Sequence, residues 1–500
     1  MLTERIRNKE LLKKIVTPEA AAALVTDGMS IGTTGDNTTR GFASAFFGAL
    51  ADRAKQGGVK DLTLWSSSVL DGVEGMLAEA GALKRRYGSH ANATLRKQIN
   101  SGKVLCNDLR GEMVSIMARS RILGKLDFAV VDAVAITEEG FIVPSHAPVD
   151  IGSLMEAADK VIVEINGALP PEIEGIYDHY LPELSHPQIK EIPLYHAGQR
   201  IGTPYIPVSQ DKISCIVISN CEKKGAKYSV LDEKSNRLAE HIIEFFREEV
   251  KRGRLPRNLY PVEVGLGGIA DAIMKNMANS DFDNLEIFSA VIGDGVIDLI
   301  DSGKCSAATG SGMLVSDNGW EKFCKDIEKF KRVLIMRPLE IVDHPETVRR
   351  LRLIAINGAI EADIYGHINS SHIGGVNLVN GVGGSPVFAS NAYLSIFPFL
   401  STSNTGNVSM IVPMVSHVDH SEHCVDVIVT EIGLADLRGL APVERAEAII
   451  ENCSHPDYRP LLREYFEKAK KNVGGHEPHV LEEAFSFHQR LKKQKTMKVI

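Results

Sequence analysis

His417, His420 and His423 stand with Asp419 and Glu422 inside seven residues of the run Ile411-Val-Pro-Met-Val-Ser-His-Val-Asp-His-Ser-Glu-His423. Imidazoles spaced by three share one face of a helix, where they could hold a metal ion. Strand-like apolar segments flank the run on both sides, however, so it reads as a turn between strands, which would scatter the rings. Polar hydrogen bonding, at an active site or structural, is the better reading, and no metal is expected. Asp419 and Glu422 are as suited to capping or orienting loops as to catalysis.

About thirty residues upstream lies Val379-Asn-Gly-Val-Gly-Gly-Ser385. Glycine clusters weaken regular structure and suit places where backbone approaches a ligand or adopts positive φ. A second glycine turn, Val262-Glu-Val-Gly-Leu-Gly-Gly-Ile-Ala-Asp-Ala272, follows a strand and opens a helix over 269–277. Backbone N–H groups at such a junction face an anion or a developing oxyanion. The Gly-x-Gly-Gly spacing lacks the third glycine of a dinucleotide fingerprint, and no acidic residue about twenty positions on ends a second strand. A backbone-binding loop other than a Rossmann site is therefore expected, with a plain tight turn as the alternative. Gly32-Thr-Thr-Gly-Asp-Asn-Thr-Thr-Arg40 is a third glycine-polar loop, able to seat an anion beside Arg40 or to serve as a plain βα connection.

Elements that would position these loops alternate throughout the chain. Short apolar runs such as 29–32, 62–65, 128–132, 160–164 and 213–217 end in glycine or polar turns and alternate with amphipathic stretches. That pattern predicts α/β architecture, with mostly parallel sheets covered by helices. Thr17-Pro18 suits a helix cap followed by proline, and 235–251 repeats apolar residues at helical spacing. The polar stretch 220–228 separates two similar halves, an N-terminal domain over 1–222 and a C-terminal domain over 223–500. In the second half, strands are expected at 261–264, 285–292, 332–336, 408–412 and 425–430. From about Pro442 the chain should be helical, ending in a solvated, frayed basic tail over 491–498.

Composition narrows the class. Five hundred residues exceed one core, and 44% hydrophobic with 24% charged residues is ordinary for a soluble enzyme. A net charge of −8 leaves no surplus to neutralise phosphates, so nucleic acid is not an expected partner. Seven cysteines without a CxxC pair fit a reducing compartment, and neither a secretory signal nor a membrane span is legible. A cytoplasmic protein is expected.

Gly265-Leu-Gly-Gly-Ile269, Leu285-Glu-Ile-Phe-Ser-Ala-Val-Ile-Gly-Asp-Gly295, Asn369-Ser-Ser-His372, Asn380-Gly-Val-Gly-Gly-Ser385 and the block 411–440 together resemble class I CoA-transferases. Within them the chain is most similar to the acetyl-CoA hydrolase/transferase group, which includes succinyl-CoA:acetate CoA-transferases. The resemblance is strongest over 260–465 and weaker through 135–143 and 159–166. It implies two related open α/β domains with acyl-CoA bound at their interface. The implied reaction is ping-pong transfer of CoA between an acyl-CoA and a small carboxylic acid, in a homodimer. Gly265, Leu266, Gly267, Gly268 and Ile269 would contact CoA or an oxyanion, and Asn357 would help polarise the reacting carbonyl. Asn380 and Gly384 would be further CoA-binding positions.

At two positions the chain departs from that pattern. The family's nucleophilic glutamate falls on Ala290, and Asn404 stands where related sequences often place a lysine near CoA. An alanine cannot form an acyl anhydride. Glu286 shares a strand face with Ala290 but lies about 13 Å away along a strand rising about 3.3 Å per residue, and Asp294 is expected to shape its turn. The chain thus reads either as a nucleophile-to-alanine variant that traps acyl-CoA or as a natural member without transfer chemistry. Two alternatives stand beside the transferase, an acyl-CoA hydrolase and a catalytically silent CoA-binding protein.

Overall fold

In the computed structural model, residues 2–35, 42–221, 224–226 and 232–499 are described. Arg40 and the loop residues 36–39 before it lie outside them. Two compact units form, and neither is a continuous stretch of chain. One comprises Met1–Lys227, Ile287–Leu351 and Gly381–Gly384; the other comprises Tyr228–Glu286, Arg352–Asn380 and Ser385–Ile500.

The first unit is built on a nine-stranded sheet. Its path runs Ile15–Val16, Ile213–Ser219, Lys160–Asn166, Phe128–Ile136, Ser30–Thr33, Leu62–Trp65, Leu83–Tyr87, Leu105–Asn107, with Ile142–Pro144 antiparallel beside Phe128–Ile136. All neighbours along the main path are parallel. A parallel sheet is covered on both faces, which is why Phe128–Ile136 reads as a nearly unbroken apolar run and is buried at every position. Strand order reverses between Ser30–Thr33 and Phe128–Ile136, the kind of switch point at whose carboxyl edge open α/β sheets seat ligands.

The segment 287–351 adds a parallel pair, Cys305–Gly310 with Leu334–Met336, and a shorter one, Val291–Ile292 with Gly312–Met313. The expected strand over 285–292 is interrupted. It stops at Phe288, because the Ser289 N–H turns to the Thr309 carbonyl and the Ala290 carbonyl accepts from the Ser311 N–H, and resumes at Val291. This segment is fastened to the N-terminal 227 residues by backbone bonds from Val149 to Ser311 and from Met313 to His146.

In the second unit, Val262–Val264, Ile354–Ile356, Leu394–Pro398 and Val427–Val429 pair in parallel, and Leu434–Asp436 closes the edge antiparallel. The expected strand over 408–412 is confined to Ile411–Val412, since Ser403 and Val408 close a turn ahead of it. Helices follow over Pro442–Cys453, Arg459–Asn472 and Ser486–Gln494, as the C-terminal pattern predicts. The tail after them is not frayed: Met497 is buried, and its N–H donates to the Asn407 carbonyl. Its lysines remain outside while one methionine is anchored in the core.

A buried ion pair sets the turn that follows the strand Leu83–Tyr87. Arg86 and Glu74 are both fully buried and 3.1 Å apart. Arg86 also donates to the carbonyls of Ser66, Ser68, Tyr87 and Ser89, while Glu74 accepts from the N–H groups of Ala91 and Asn92. Such a pair is costly to break because the surviving charge is left in low dielectric. Glu74→Ala should lower the urea midpoint of unfolding by the equivalent of about 3–5 kcal/mol. Lys13→Ala, which removes an exposed pair with Glu10, should leave the midpoint unchanged.

Candidate active site

The strand Val262–Val264 delivers the chain into Gly265, whose N–H donates to the Ile356 carbonyl at 3.1 Å. Gly267 then takes φ 111°, a conformation open to glycine, and caps the helix Gly268–Asn279. The turn faces a cavity of about 170 Å³ whose walls include Gly265, Leu266, Gly267, Gly268 and Ile269. Ile356, Gly358 and Ala359 line the same cavity from the neighbouring strand end, on either side of Asn357 in the chain. The glycine turn and the Asn357 segment are therefore brought together.

Asn357 is 5% exposed and is held from below by a residue that sequence reasoning passed over. Its Nδ2 donates to Glu263 Oε2 at 2.9 Å, and the Ile356 N–H donates to the same oxygen at 3.2 Å. Burial pushes the Glu263 carboxyl up to about 8 against the opposing pull of these two hydrogen bonds. At neutral pH it is therefore mostly protonated, with Oε2 serving as acceptor. The signal in the sequence was a lone glutamate in the middle of the apolar triplet Val262-Glu-Val264. Asn357 has two amide hydrogens, and Glu263 fixes one of them.

Ala290 is half-buried in the first unit, at the break between the strands Leu285–Phe288 and Val291–Ile292. Asp294 Oδ1 accepts from the Ser316 N–H at 2.9 Å and packs where a Cβ on Gly319 would fall, so beyond its own turn it braces the start of the helix Asp317–Lys325. The glycine loop is pinned to that same unit at four consecutive residues. Gly381 sits against Ser89, with room for no Cβ; Val382 N–H donates to Asp108; the Gly383 carbonyl accepts from the Gly111 N–H. A Cβ on Gly384 would lie 2.2 Å from Asp343 Oδ2. Asn380, in the second unit, is exposed and donates to the Ser370 carbonyl. Asn404 is exposed in the turn closed by Ser403 and Gly406; neither it nor Asn380 lines the glycine-turn cavity.

The histidine run does scatter. His420 is buried, its Nε2 is 2.8 Å from Ser385 Oγ, and burial lowers its pKa to about 4, so the ring is neutral. His417 Nε2 faces Asp419 at 3.2 Å and its ring lies 3.8 Å from that of His372. His423 is exposed and meets Glu422. Asp419 spends its oxygens on Ser370 and Ser371, a loop-holding role.

The comparisons with known proteins agree with this architecture. Residues 1–218 match the acetyl-CoA hydrolase/transferase N-terminal domain, and residues 319–466 match its C-terminal domain. A succinyl-CoA:acetate CoA-transferase from Clostridium kluyveri is 42% identical over 498 residues, 99% of this chain and 92% of that protein. An acetyl-CoA hydrolase from Schizosaccharomyces pombe is 38% identical over 520 residues, 100% of this chain and 99% of that protein. Among solved structures, RipA from Yersinia pestis has a TM-score of 0.71 at 20% identity, covering 93% of this chain and 99% of that one. A 4-hydroxybutyrate CoA-transferase from Porphyromonas gingivalis has a TM-score of 0.63 at 18% identity, covering 91% and 98%. These two structures share the fold. The chain belongs to the acetyl-CoA hydrolase/transferase family, an enzyme family acting on CoA thioesters.

The protonated Glu263 carboxyl carries a sign that can be checked. A carboxyl whose folded pKa stands above its unfolded value stabilises the fold at low pH and loses that contribution as pH rises between the two values. Stability should therefore fall from about pH 4.5 through pH 8, by up to about 1.4 kcal/mol per pH unit. Glu263→Gln keeps the acceptor for Ile356 and Asn357 and should flatten the thermal midpoint across that range.

Proposed function

We propose that this chain is an acyl-CoA:carboxylate CoA-transferase fold whose nucleophile position is occupied by Ala290. The observation that carries the reading is the contrast between that position and the rest of the site. The glycine turn Gly265–Ile269 is formed, and Asn357 is held by Glu263 with a second amide hydrogen to offer. At position 290, by contrast, only a methyl group projects. The 42% identity to a protein named succinyl-CoA:acetate CoA-transferase supports small carboxylic acids as substrates.

In the active form of such a site, a glutamate at position 290 attacks the thioester carbonyl and expels CoA thiolate, leaving an acyl-glutamyl anhydride. The thiolate adds to the glutamyl carbonyl, releasing the first acid and forming a glutamyl-CoA thioester. An incoming carboxylate then reverses both steps. Splitting one difficult exchange into two covalent ones is the catalytic gain. The amides of Gly265 to Ile269 and the remaining Asn357 N–H would meet CoA or the charge on the reacting oxygen. Gly384 and Asn380 would extend the CoA contacts, and Asn404 would stand near CoA where a lysine is common. With alanine at 290 the chain binds acyl-CoA and stops before the anhydride. Free thiols at all seven cysteines fit a cytoplasmic setting, and we carry the homodimer as part of this reading.

A hydrolase is the second reading, because relatives 36–38% identical are named acetyl-CoA hydrolases. In that case water, not a second acid, would accept the acyl group.

Ala290→Glu should create CoA exchange between acetyl-CoA and small carboxylates such as succinate, where the unaltered chain gives none. Thiol release from the unaltered chain without any acceptor acid would instead establish the hydrolase. In the Ala290→Glu background, Asn357→Ala should lower kcat by roughly 100–1,000-fold, the scale of losing one oxyanion donor. An unchanged kcat would remove Asn357 from the reaction.

A further inference from the structure

His367, Glu422 and Glu477 come together within the second unit from three separated parts of the sequence. His367 ends the tight turn after the strand Glu361–Asp363, Glu422 begins the short turn Glu422–Cys424, and Glu477 lies between the helices Arg459–Asn472 and Ser486–Gln494. One donor atom from each lies within 4.8 Å of the other two. His367 Nε2 is 2.9 Å from Glu422 Oε2, and Glu477 Oε1 is 3.7 Å from Nδ1 of the same ring.

The imidazole is oriented by a carboxylate that is itself immobilised. Asp363 is buried, its Oδ1 accepts from the N–H groups of Tyr365, Gly366 and His367, and its Oδ2 lies 3.2 Å from His367 Nδ1. A histidine ligand that gives its other ring N–H to a carboxylate is the usual arrangement at protein metal centres, because it fixes the tautomer and raises ligand basicity. With Nδ1 engaged by Asp363, Nε2 is the ligand atom, on the side of Glu422.

Glu477 is likewise placed by its neighbours. The Pro478 carbonyl accepts from the Tyr365 hydroxyl, and His479 Nδ1 is 2.8 Å from the Tyr465 hydroxyl. The stretch His476-Glu-Pro-His479 is thereby laid against the turn that carries His367. One imidazole with two carboxylates, half-buried and open to water, is a donor set for a first-row divalent cation; imidazole favours zinc over magnesium or calcium.

We propose that His367, Glu422 and Glu477 form a zinc-type divalent cation site, oriented by Asp363, that clips the segment carrying Glu477 to the core of the second unit. Ligand atoms about 2.0–2.2 Å from a common ion lie roughly 3.3 Å apart, so the Glu477 side chain, whose Oε1 faces Nδ1 at 3.7 Å, must swing toward Nε2 to complete the geometry. Binding displaces a proton from Nε2 and lets the ion take over the two carboxylates.

The test is a titration of the full-length, EDTA-dialysed protein with zinc chloride by calorimetry, with magnesium chloride as comparison. One saturable zinc per chain is expected, together with slower proteolytic release of the C-terminal segment; magnesium should produce neither. Glu477→Gln, at a partly exposed position, should weaken zinc binding at least about tenfold, and His367→Ala should weaken it further. His417→Ala should leave it unchanged. Anomalous scattering from a zinc-soaked crystal should place the ion between the three side chains. Absence of saturable binding, affinity unchanged in Glu477→Gln, or an ion located elsewhere would overturn the assignment.

Discussion

Arg337 and Asp178 form the contact on which the first unit depends. Both side chains are essentially excluded from water, and they are paired directly. Burial lowers the Arg337 pKa to about 10 even with Asp178 beside it, so the guanidinium is charged at neutral pH and needs that partner. Arg337 belongs to the segment 287–351 and Asp178 to the N-terminal part of the chain. A charge buried in one segment and paired with an acid in the other makes separation of the two expensive. The same seam is sealed by Glu340 with Arg119 and Ser153, and by the Thr309 hydroxyl donating to the Ala197 carbonyl. Position 290 is held inside this sealed body, which is why a side chain there would be presented rigidly.

Electrostatics divides the second unit in a complementary way. Around Asn357 the surroundings are apolar and one carboxyl is kept protonated, so the asparagine meets a neutral hydrogen-bond partner rather than a charge. A few residues along the chain, the turn from Asp363 to His367 is charged on every side. Burial opposes protonation of His367, but Asp363, Glu477 and Glu422 outweigh it and raise its pKa to about 9. The second unit thus holds a nearly neutral pocket on one sheet and a densely charged clasp on another. The difference lies in how each strand ends: Val262–Val264 runs into glycine, and Glu361–Asp363 ends in a carboxylate that caps its own turn.

Much of this was legible in the sequence where one residue type has one structural use. The apolar run at Phe128 announced a strand of a mostly parallel, helix-covered sheet, and Gly265, Gly267 and Gly268 announced a glycine turn between a strand and a helix start. The family resemblance located Ala290; the alanine itself carries no chemical mark, and only the glutamate expected there makes its methyl group informative. What stayed hidden depends on distant partners. Glu263 looks like any acid in a short strand until Ile356 and Asn357 are placed over it. The return of 287–351 to the N-terminal residues leaves no local trace, because Arg337 reads as a surface charge until Asp178 is found. His417, His420 and His423 suggested a common ligand through spacing alone, yet each ring answers to a different neighbour, and Glu422 turns toward a histidine more than fifty residues earlier.

The chain passes from one unit to the other at 227/228, 286/287, 351/352, 380/381 and 384/385, the last two crossings enclosing only Gly381–Gly384. On a ribosome this order has a kinetic meaning. Asp178 emerges long before Arg337, so the nascent N-terminal part holds a buried acid met only by the Ile201 and Gly202 N–H groups, without its cationic partner, for more than a hundred further residues. Neither unit can be encoded as a contiguous gene fragment. Gene duplication or shuffling would therefore have to move the two together, so the chain is inherited as a single piece although it folds as two.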